Sequence, residues 1–290
     1  HLSLRRQRQM CIRDSSKTFL ITGVSSGLGR AFALGALETG HRVIGTVRRQ
    51  ADAEAFAALA PDRAHPVMLD MTDFDAIPPA VAEAERRAGP IDVLVNNAGY
   101  GHEGVLEESS MDALQRQFAA NVFGPVAMIK AVLPGMRERR RGHIVNVTSM
   151  GGFITMPGIT FYCGSKFALE GISEALGKEV ASFGIRVTAL APGQFRTDWA
   201  GRSMDRTSRS IADYDAVMDP IRAARQAKSG NQPGDPAKAA QALLALVDAE
   251  NPPVRLFLGD DALGLVEQKL DGMRAEIAAW EELSRSTSFA

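Results

Sequence analysis

Short apolar runs alternate with longer amphipathic segments along most of the chain. The runs are bounded by polar residues, Gly or Pro, which is typical of buried strands. The longer segments carry apolar residues at helical spacing, and Gly or Pro follows several of them. Because strands alternate with helices, the pattern predicts an α/β fold with a mostly parallel sheet. The seven predicted strands are residues 18–22, 42–47, 66–69, 91–95, 144–149, 185–190 and 254–258.

The predicted helices fill the intervals between these strands. Gly40 ends the first helix, and Gly142 ends the long helix that precedes the fifth strand. Gly124-Pro125 falls inside that long helix and predicts a kink there. Residues 200–234 are rich in Ser, Arg, Asp and Gly, which favours a substrate lid. The predicted helices are residues 27–39, 51–59, 80–88, 111–136, 162–183, 235–248 and 263–283.

Residues 1–16 differ in character from the rest of the chain. They carry four arginines and no periodic apolar face, so we expect a non-native or disordered leader outside the fold. A mitochondrial-type presequence is the alternative. Residues 17–290 contain no internal repeat and no sign of a second domain, which predicts a single domain.

Composition and charge exclude several classes of protein. The 290 residues are 45% hydrophobic and 23% charged, as in ordinary soluble globular proteins. A formal net charge of −1 favours neither nucleic acid nor membrane, and no apolar run approaches the roughly 18 residues of a membrane span. The five histidines lack metal-ligand spacing, so we expect no metal. Two cysteines cannot form a disulfide framework, so a cytoplasmic location is expected.

A glycine-rich turn follows the first predicted strand. The sequence Thr22-Gly23-Val24-Ser25-Ser26-Gly27-Leu28-Gly29 joins that strand to the next predicted helix. Glycines in this context let backbone amides approach a pyrophosphate at the helix N-terminus. The pattern therefore predicts a dinucleotide-binding loop.

The second predicted strand ends in Val47-Arg48-Arg49 and carries no acid there. Many NAD-binding folds place an acid at this position to bind the ribose hydroxyls. An arginine fork suits a 2′-phosphate instead. We therefore expect NADP(H) rather than NAD(H), with two solvated arginines as the alternative.

Tyr162 and Lys166 lie four residues apart, so they share one face of the predicted helix about one turn apart. A phenol has a reference pKa of about 10, and a neighbouring ammonium lowers that pKa by favouring the phenolate. Such a tyrosine can exchange a proton with a substrate oxygen. The pair alone is a weak signal, but Ser149 stands thirteen residues upstream, at the end of a predicted buried strand.

With these pieces in order along the chain, the sequence resembles the short-chain dehydrogenases/reductases over about residues 17–254. The similarity is greatest to the branch with hydroxysteroid and retinol dehydrogenases. It implies a Rossmann-type, doubly wound sheet of seven mostly parallel strands with helices on both faces. The matching motifs are Thr22-Gly23-x-x-x-Gly27-x-Gly29, Asn96-Asn97-Ala98-Gly99, Asn121, Ser149, Tyr162-x-x-x-Lys166 and Pro192-Gly193.

The resemblance also implies roles for individual residues. Ser149 would hold the substrate oxygen, and Tyr162 would exchange the proton. Lys166 would lower the pKa of the tyrosine and bind the nicotinamide ribose, while Asn121 would support a water relay. The cofactor residues implied are Gly23, Ser25, Ser26, Gly27, Leu28, Gly29, Arg48, Arg49, Asp70, Met71, Asn97, Ala98, Gly99, Tyr162, Lys166, Pro192, Gly193, Phe195 and Thr197.

The residues expected at the substrate end are mainly apolar or aromatic, which predicts an apolar alcohol/ketone substrate for a hydride-transferring oxidoreductase. The alternative is that these side chains only pack against the lid. Two other functions stay open: an epimerase or dehydratase on the same scaffold, and a catalytically silent NADP(H)-sensing protein. The assembly could be a homodimer or a homotetramer. The predicted substrate residues are Tyr100, His102, Phe153, Ile154, Met156 and Trp199.

Overall fold

The computed structural model describes residues 16–289, and in them strands and helices alternate from residue 18 to residue 258. The strands are β1 (Thr18–Ile21), β2 (Arg42–Val47), β3 (Ala64–Met68), β4 (Val93–Asn96), β5 (Gly101–Glu103), β6 (Gly142–Val147), β7 (Ile185–Pro192), β8 (Met204–Arg206) and β9 (Arg255–Leu258). The α-helices are α1 (Gly27–Glu38), α2 (Gln50–Ala57), α3 (Ile77–Ala88), α4 (Met111–Phe118), α5 (Gly124–Arg139), α6 (Thr160–Val180), α7 (Asp215–Ala227), α8 (Pro236–Asp248), α9 (Asp260–Ala279) and α10 (Glu281–Arg285).

Seven strands form one parallel sheet in the order β3-β2-β1-β4-β6-β7-β9. The strand order reverses between β1 and β4, so a crevice opens above the carboxyl ends of these two strands. This arrangement confirms the predicted doubly wound α/β fold.

The central strands β1 and β4 are buried on both faces, which explains why they are apolar without alternation, whereas the edge strands β3 and β9 are only partly buried. Successive side chains of β1 point to opposite faces. Phe19 and Ile21 pack in the core under α1 and α8, and Leu20 packs in the core under α3 and α5. The sheet is therefore covered by helices on both faces.

The predicted long helix 111–136 is divided directly before Gly124-Pro125, where the sequence predicted a kink. A π-helical turn, Ala119–Phe123, separates α4 from α5 and contains Asn121. Pro125 lies in the first turn of α5, where proline is tolerated. Gly124 packs closely against the neighbouring backbone, because a Cβ added to it would lie 2.6 Å from the Met71 carbonyl oxygen.

Several other boundaries differ from the sequence-based ones by a few residues, as in β3, which begins at Ala64 rather than at residue 66. Helix α3 begins three residues before the predicted start at residue 80, because Pro78 and Pro79 fit its first turn. The predicted helix 263–283 begins at Asp260 and is divided at Trp280 into α9 and α10.

The predicted lid region, residues 200–234, contains a strand that the sequence did not indicate. Strand β8 pairs with β5 in a separate two-stranded parallel sheet. Helix α7 follows and buries Met218. Residues 1–15 of the predicted leader lie outside the described residues.

One helical stretch, Met111–Arg139, is long and apolar enough to cross a membrane by length and composition alone. The pattern of apolar runs along the chain does not indicate such a stretch. In the structure its apolar residues Met128, Val132 and Met136 are buried in the core on one face of the sheet.

Candidate active site

A cavity of about 1400 Å³ opens above the carboxyl ends of the strands. It runs from the glycine turn after β1 to the lid helix α7. The structure brings most of the predicted residues to its wall. The predicted residues that line it are Gly23, Ser25, Ser26, Gly27, Leu28, Arg48, Arg49, Asp70, Met71, Asn97, Ala98, Gly99, Tyr100, Ser149, Met156, Tyr162, Lys166, Pro192, Gly193, Phe195, Thr197 and Trp199.

The glycine turn is shaped by close backbone contacts. Gly23 and Gly27 have φ values of +74° and +58°, a region that L side chains rarely adopt. Gly29 lies behind the turn, and a Cβ on it would overlap with the Gly23 carbonyl oxygen and the Asn97 amide. Ser26 precedes α1 and its side chain makes no capping hydrogen bond, so the first amides of α1 stay available to an anion.

Asn97 supports the glycine turn from the end of β4. Its Nδ2 donates to the Thr22 carbonyl oxygen at 2.9 Å and to the Gly23 carbonyl oxygen at 3.4 Å. The Thr22 hydroxyl in turn accepts hydrogen bonds from the backbone amides of Asn97 and Ala98, each at 2.9 Å. Asn97 is therefore a positioning residue for the loop as well as part of the cavity wall.

Arg48 and Arg49 have different environments at the end of β2. Arg49 is held by Asp52 in a bidentate pair, with Nε–Oδ2 and Nη2–Oδ1 both at 2.7 Å. Arg48 makes no hydrogen bond or ion pair within residues 16–289, although it lines the cavity. The two arginines therefore do not form the fork that the sequence suggested, and Arg48 is the available cation.

Asp70 follows β3, and its side chain forms hydrogen bonds with a residue two positions later in the chain. Its Oδ1 accepts hydrogen bonds from the backbone amide and the hydroxyl of Thr72, at 2.9 and 2.7 Å. These hydrogen bonds lower the pKa of the Asp70 carboxyl below its ordinary value. Asp70 therefore shapes the turn and lines the cavity at once.

Tyr162 and Lys166 lie in the first two turns of α6 and are both buried. Lys166 Nζ is 5.8 Å from the centroid of the Tyr162 ring and donates to the Val147 carbonyl oxygen at 2.9 Å. Ser149 lies across from them, where its Oγ accepts a hydrogen bond from the Gly151 amide at 3.0 Å. The end of β6 and the start of α6 thus bring the three predicted groups to one cavity wall.

Burial changes the protonation of this pair in a way the sequence did not predict. Burial raises the pKa of the Tyr162 phenol, and the hydrogen bond with Ser149 only partly offsets this. Burial also lowers the pKa of Lys166 to about 8, against a smaller opposing effect of Glu170. Loss of water around the phenolate dominates the pKa of Tyr162, and the lowering of that pKa by Lys166 stays a prediction.

Asn121 lies behind the wall rather than on it. Its Oδ1 accepts from the Tyr100 backbone amide at 3.1 Å, and its Nδ2 donates to the Tyr100 carbonyl oxygen at 3.0 Å. Nδ2 also donates to Ser165 Oγ at 3.1 Å. A Cβ added to Gly99 would lie 2.8 Å from Asn121 Oδ1. The side chain therefore fixes the segment after β4 against α6; the water relay stays a prediction.

The segment after β7 closes the cavity beside the glycine turn. The methyl group of Thr197 lies 3.8 Å from a Cβ added to Gly27, so the two loops meet. The backbone amide of Gln194 donates a hydrogen bond to Asp261 Oδ2 at 2.8 Å, which connects this segment to α9.

Three predicted substrate residues line the cavity and three do not. Trp199 packs on Tyr162 with ring centroids 5.1 Å apart, and Tyr100 and Met156 complete this part of the wall. His102, on β5, instead stacks on Phe161.

Phe153 and Ile154 lie on the far side of their turn. Phe153 packs against Phe257, and Ile154 lies in the same small core as Ala262 and Val266. The prediction that His102, Phe153 and Ile154 face the substrate is therefore wrong for the cavity described here. Position after a motif does not reveal which way a side chain turns.

The lid end of the cavity contains charged residues that sequence reasoning missed. Glu103 on β5 is buried and binds two arginines of α7: Arg222 Nε lies 3.0 Å from Oε1, and Arg225 Nη1 lies 2.6 Å from Oε2. Burial alone would raise the pKa of Glu103, but the hydrogen bonds from Arg225 and Arg222 lower it below its ordinary value. No local pattern could have paired residues so distant in sequence. The charged residues that line this end are Arg116, Asp198, Arg202, Asp205, Arg225 and Lys228.

Comparison with known proteins assigns this geometry to a family. A family profile described as short chain dehydrogenase matches residues 17–207. The chain belongs to the short-chain dehydrogenase family. The glycine turn, Ser149, Tyr162 and Lys166 of this short-chain dehydrogenase all lie within the matched residues.

Individual relatives extend the similarity along the chain. Oxidoreductase BOA17 of Botryotinia fuckeliana is 38% identical over 94% of this chain and all of its own. Human retinol dehydrogenase 8 is 33% identical over 82% of this chain and 80% of its own. A crystal structure of a short-chain dehydrogenase from Streptomyces avermitilis has a TM-score of 0.88 and 42% identity, covering 95% of this chain and all of that one. This short-chain dehydrogenase is therefore an NAD(P)-dependent oxidoreductase.

Proposed function

We propose that this short-chain dehydrogenase uses NADP(H) in preference to NAD(H) and interconverts an apolar alcohol and its ketone. The observation that carries the cofactor preference is Arg48 at the end of β2, which lines the cavity and makes no hydrogen bond or ion pair within residues 16–289. The observation that carries the substrate class is the apolar wall around Tyr162.

The residues of the cofactor end fit a nicotinamide dinucleotide. A Cβ on Gly29 would fill the space behind the glycine turn, and Ser26 leaves the first amides of α1 free of side-chain caps. Anionic groups are favoured at such a helix N-terminus. Arg48 lies at the same end and has no competing carboxylate within hydrogen-bonding distance, so it suits a 2′-phosphate.

The cofactor preference is tested by titrating NADPH and NADH against the wild type, Arg48→Ala and Arg49→Ala. We expect Arg48→Ala to weaken NADPH binding about ten- to a hundredfold, since a charge-assisted phosphate contact contributes roughly 1.5–3 kcal/mol. NADH binding should be unchanged. Arg49→Ala is the matched control, because the Arg49 guanidinium is already held by Asp52. Equal affinities in the wild type, or an unchanged preference in Arg48→Ala, would contradict the proposal.

The substrate end combines an apolar inner wall with a charged rim. Trp199, Met156 and Ile159 pack around Tyr162, and Met204 and Ile221 extend this wall toward the lid. Burial of apolar surface contributes about 25 cal/mol per Å², so an extended apolar substrate is favoured over a sugar. Human retinol dehydrogenase 8, whose name specifies an apolar alcohol, is in keeping with this proposal.

The chain supplies position and protons for the reaction. The bound nicotinamide cofactor supplies or accepts the hydride. Ser149 Oγ holds the substrate oxygen, and the Tyr162 phenol gives a proton to that oxygen in reduction and takes it back in oxidation. Burial raises the pKa of the Tyr162 phenol and so favours its protonated form, which suits it to donate the proton in the reductive reaction.

The substrate class is tested by measuring kcat/KM with NADPH across aliphatic, aryl, steroidal and sugar carbonyls. We expect extended apolar ketones to be preferred over sugars and small acids. A tenfold advantage for sugar or small charged substrates would contradict the substrate proposal and leave the cofactor proposal standing.

A further inference from the structure

Glu170 is a buried carboxylate that lies directly behind the active site. It follows Lys166 by one turn of α6, and Lys166 follows Tyr162 by one turn, so the three side chains share one face of the helix. All three are buried. Glu170 lies outside the cavity wall, so any effect that it has on the reaction passes through its neighbours.

Two short hydrogen bonds fix this carboxylate. Thr148 Oγ1 donates to Glu170 Oε1 at 2.6 Å, and Arg255 Nε donates to Glu170 Oε2 at 2.6 Å. Thr148 directly precedes Ser149 at the end of β6, and Arg255 is the first residue of β9. Glu170 therefore joins α6 to the end of β6 and to β9.

The end of β6 is also held by Lys166. Lys166 Nζ donates to the carbonyl oxygen of Val147, two residues before Ser149, at 2.9 Å. The turn after Ser149 packs on Glu170 as well, because a Cβ added to Gly152 would lie 3.0 Å from Glu170 Cγ. The lysine and the glutamate thus hold the backbone on both sides of the serine.

The charge of Glu170 acts on Lys166. Burial of the lysine lowers its pKa to about 8, and the negative charge of Glu170 opposes that fall. The end of β6 and the π-helical turn present neutral groups to the lysine, those of Val147, Ser149 and Asn121. The titratable or charged groups around it within residues 16–289 are Tyr162 and Glu170 on its own helix, Cys163 beside the tyrosine, and Arg255 beyond Glu170.

Packing alone does not account for a carboxylate at this position. A buried ion pair often contributes no more stability than apolar side chains of similar size, whereas apolar side chains place no charge beside a buried ammonium. We propose that Glu170 is a positioning residue of the active site, which fixes the strand end before Ser149 through Thr148 and places its negative charge beside the ammonium of Lys166. The proposal rests on the roles of Ser149, Tyr162 and Lys166 in the reaction.

The effect of the charge is tested in the full chain without cofactor, by the pH dependence of Lys166 acetylation with acetic anhydride, measured by mass spectrometry. Lys166 lines the cavity and only its neutral amine reacts, so the midpoint of the labelling rate follows the pKa of Lys166. Glu170→Gln removes the charge and nearly keeps the shape. We expect this variant to lower the midpoint from about 8 by about one pH unit. The exposed Lys238 is the internal reference.

Glu174→Gln is the matched control. Glu174 lies one turn further along α6, is more exposed, and has its Oε2 3.9 Å from Arg255 Nη2, so its loss should leave the midpoint unchanged. The double variant Glu170→Met/Arg255→Met removes both charges without leaving half of a buried pair, so it should fold even where Glu170→Gln does not. It should lower the midpoint in the same direction. An unchanged midpoint in Glu170→Gln, or in the double variant where the single one does not fold, would overturn the proposal.

The hydrogen bond to the strand end is tested by Thr148→Val, which keeps the shape of the side chain and the charge of Glu170. We expect kcat to fall several-fold with any ketone that the wild type reduces, while the midpoint of Lys166 labelling stays in place. A wild-type kcat in this variant would overturn the role of Thr148 in positioning Ser149.

The effect on the reaction is measured as the pH profile of kcat/KM with NADPH. Because the ammonium of Lys166 is the active form, the fall of kcat/KM at high pH should move to lower pH in Glu170→Gln by the same amount as the labelling midpoint. Full activity of Tyr162→Phe would refute the mechanism on which the proposal rests. Loss of activity in Tyr162→Phe, together with an unchanged labelling midpoint in Glu170→Gln, would refute the role of Glu170 alone.

Discussion

The cofactor end of the cavity is held by backbone groups and glycines, whereas the lid end is held by charged side chains far apart in sequence. At the cofactor end, Gly23, Gly29 and Asn97 pack so closely that an added Cβ on Gly29 would overlap with its neighbours. At the lid end, the Glu103 carboxylate joins β5 to α7 through Arg222 and Arg225.

This difference predicts two kinds of sensitivity. The glycine turn of the cofactor end should be sensitive to changes of shape, because its contacts are backbone contacts at minimal spacing. The lid end should tolerate changes of shape better than loss of one charge, because removing one partner of a buried ion pair leaves the other without compensation. Tyr162 lies where the two ends meet.

The largest effect should come from Tyr162→Phe. The ring still packs against Trp199, but the proton donor is gone. We expect turnover to fall by a factor of about 10²–10⁴, the usual contribution of general acid catalysis, with NADPH affinity nearly unchanged. Steady-state kinetics and cofactor titration measure the two effects. Retention of a tenth of the wild-type rate would remove Tyr162 from the role of acid.

Gly29→Ala probes the shape of the cofactor end. The new methyl group would meet the Gly23 carbonyl oxygen, so the loop must shift. Overpacking of this kind costs roughly 1–3 kcal/mol, and we expect NADPH affinity to fall about ten- to a hundredfold.

Gly171→Ala is the matched control for this change. Gly171 lies in α6, and an added Cβ there meets no atom within 4 Å. It should leave cofactor affinity unchanged and raise the melting temperature slightly, because alanine favours helix. Equal losses in both variants would show that close packing of the glycine turn is not the cause.

Glu103→Gln probes the charge at the lid end. The arginines of α7 would lose their buried counter-charge while the shape stays almost the same. We expect KM for the carbonyl substrate to rise several-fold, with NADPH affinity unchanged. Glu38→Gln, at an exposed end of α1, is the control. A loss of NADPH affinity equal to the rise in KM would mean that the two ends are not independent.

The smallest effect should come from lowering the pH. Burial lowers the pKa of His102 below its ordinary value, so the folded state binds this proton less readily than the unfolded chain does. Stability contributed by neutral His102 is therefore present above the ordinary pKa of about 6.5 and is lost as the pH falls below it. Amide protection factors, which correct the exchange rate for its intrinsic dependence on pH, should be lower in β5 and β8 at pH 5 than at pH 7, while those of β9 change little. An equal loss of protection in β9 would contradict this.

The cofactor end could be predicted from sequence because its determinants are local. The glycine turn, the missing acid beside Arg48, and the one-turn spacing of Tyr162 and Lys166 each lie within a few residues. The seven-strand sheet followed in the same way from short apolar runs, since its central strands are buried on both faces.

The lid end could not be predicted because its determinants join distant residues. His102 and Thr207, which share a hydrogen bond of 2.9 Å, are 105 positions apart in sequence. The π-helical turn around Asn121 and the outward turn of Phe153 likewise depend on what packs against them. Burial of the Tyr162 phenol, which raises its pKa, also depends on tertiary packing that no local pattern shows.

The most direct test of the account is kcat/KM for one extended apolar ketone, measured with NADPH and with NADH in the wild-type protein. The unpaired Arg48 predicts that NADPH is preferred about ten- to a hundredfold, the effect of one charge-assisted phosphate contact. Equal values for the two cofactors would contradict the assignment of Arg48, and a preference for NADH would reverse it.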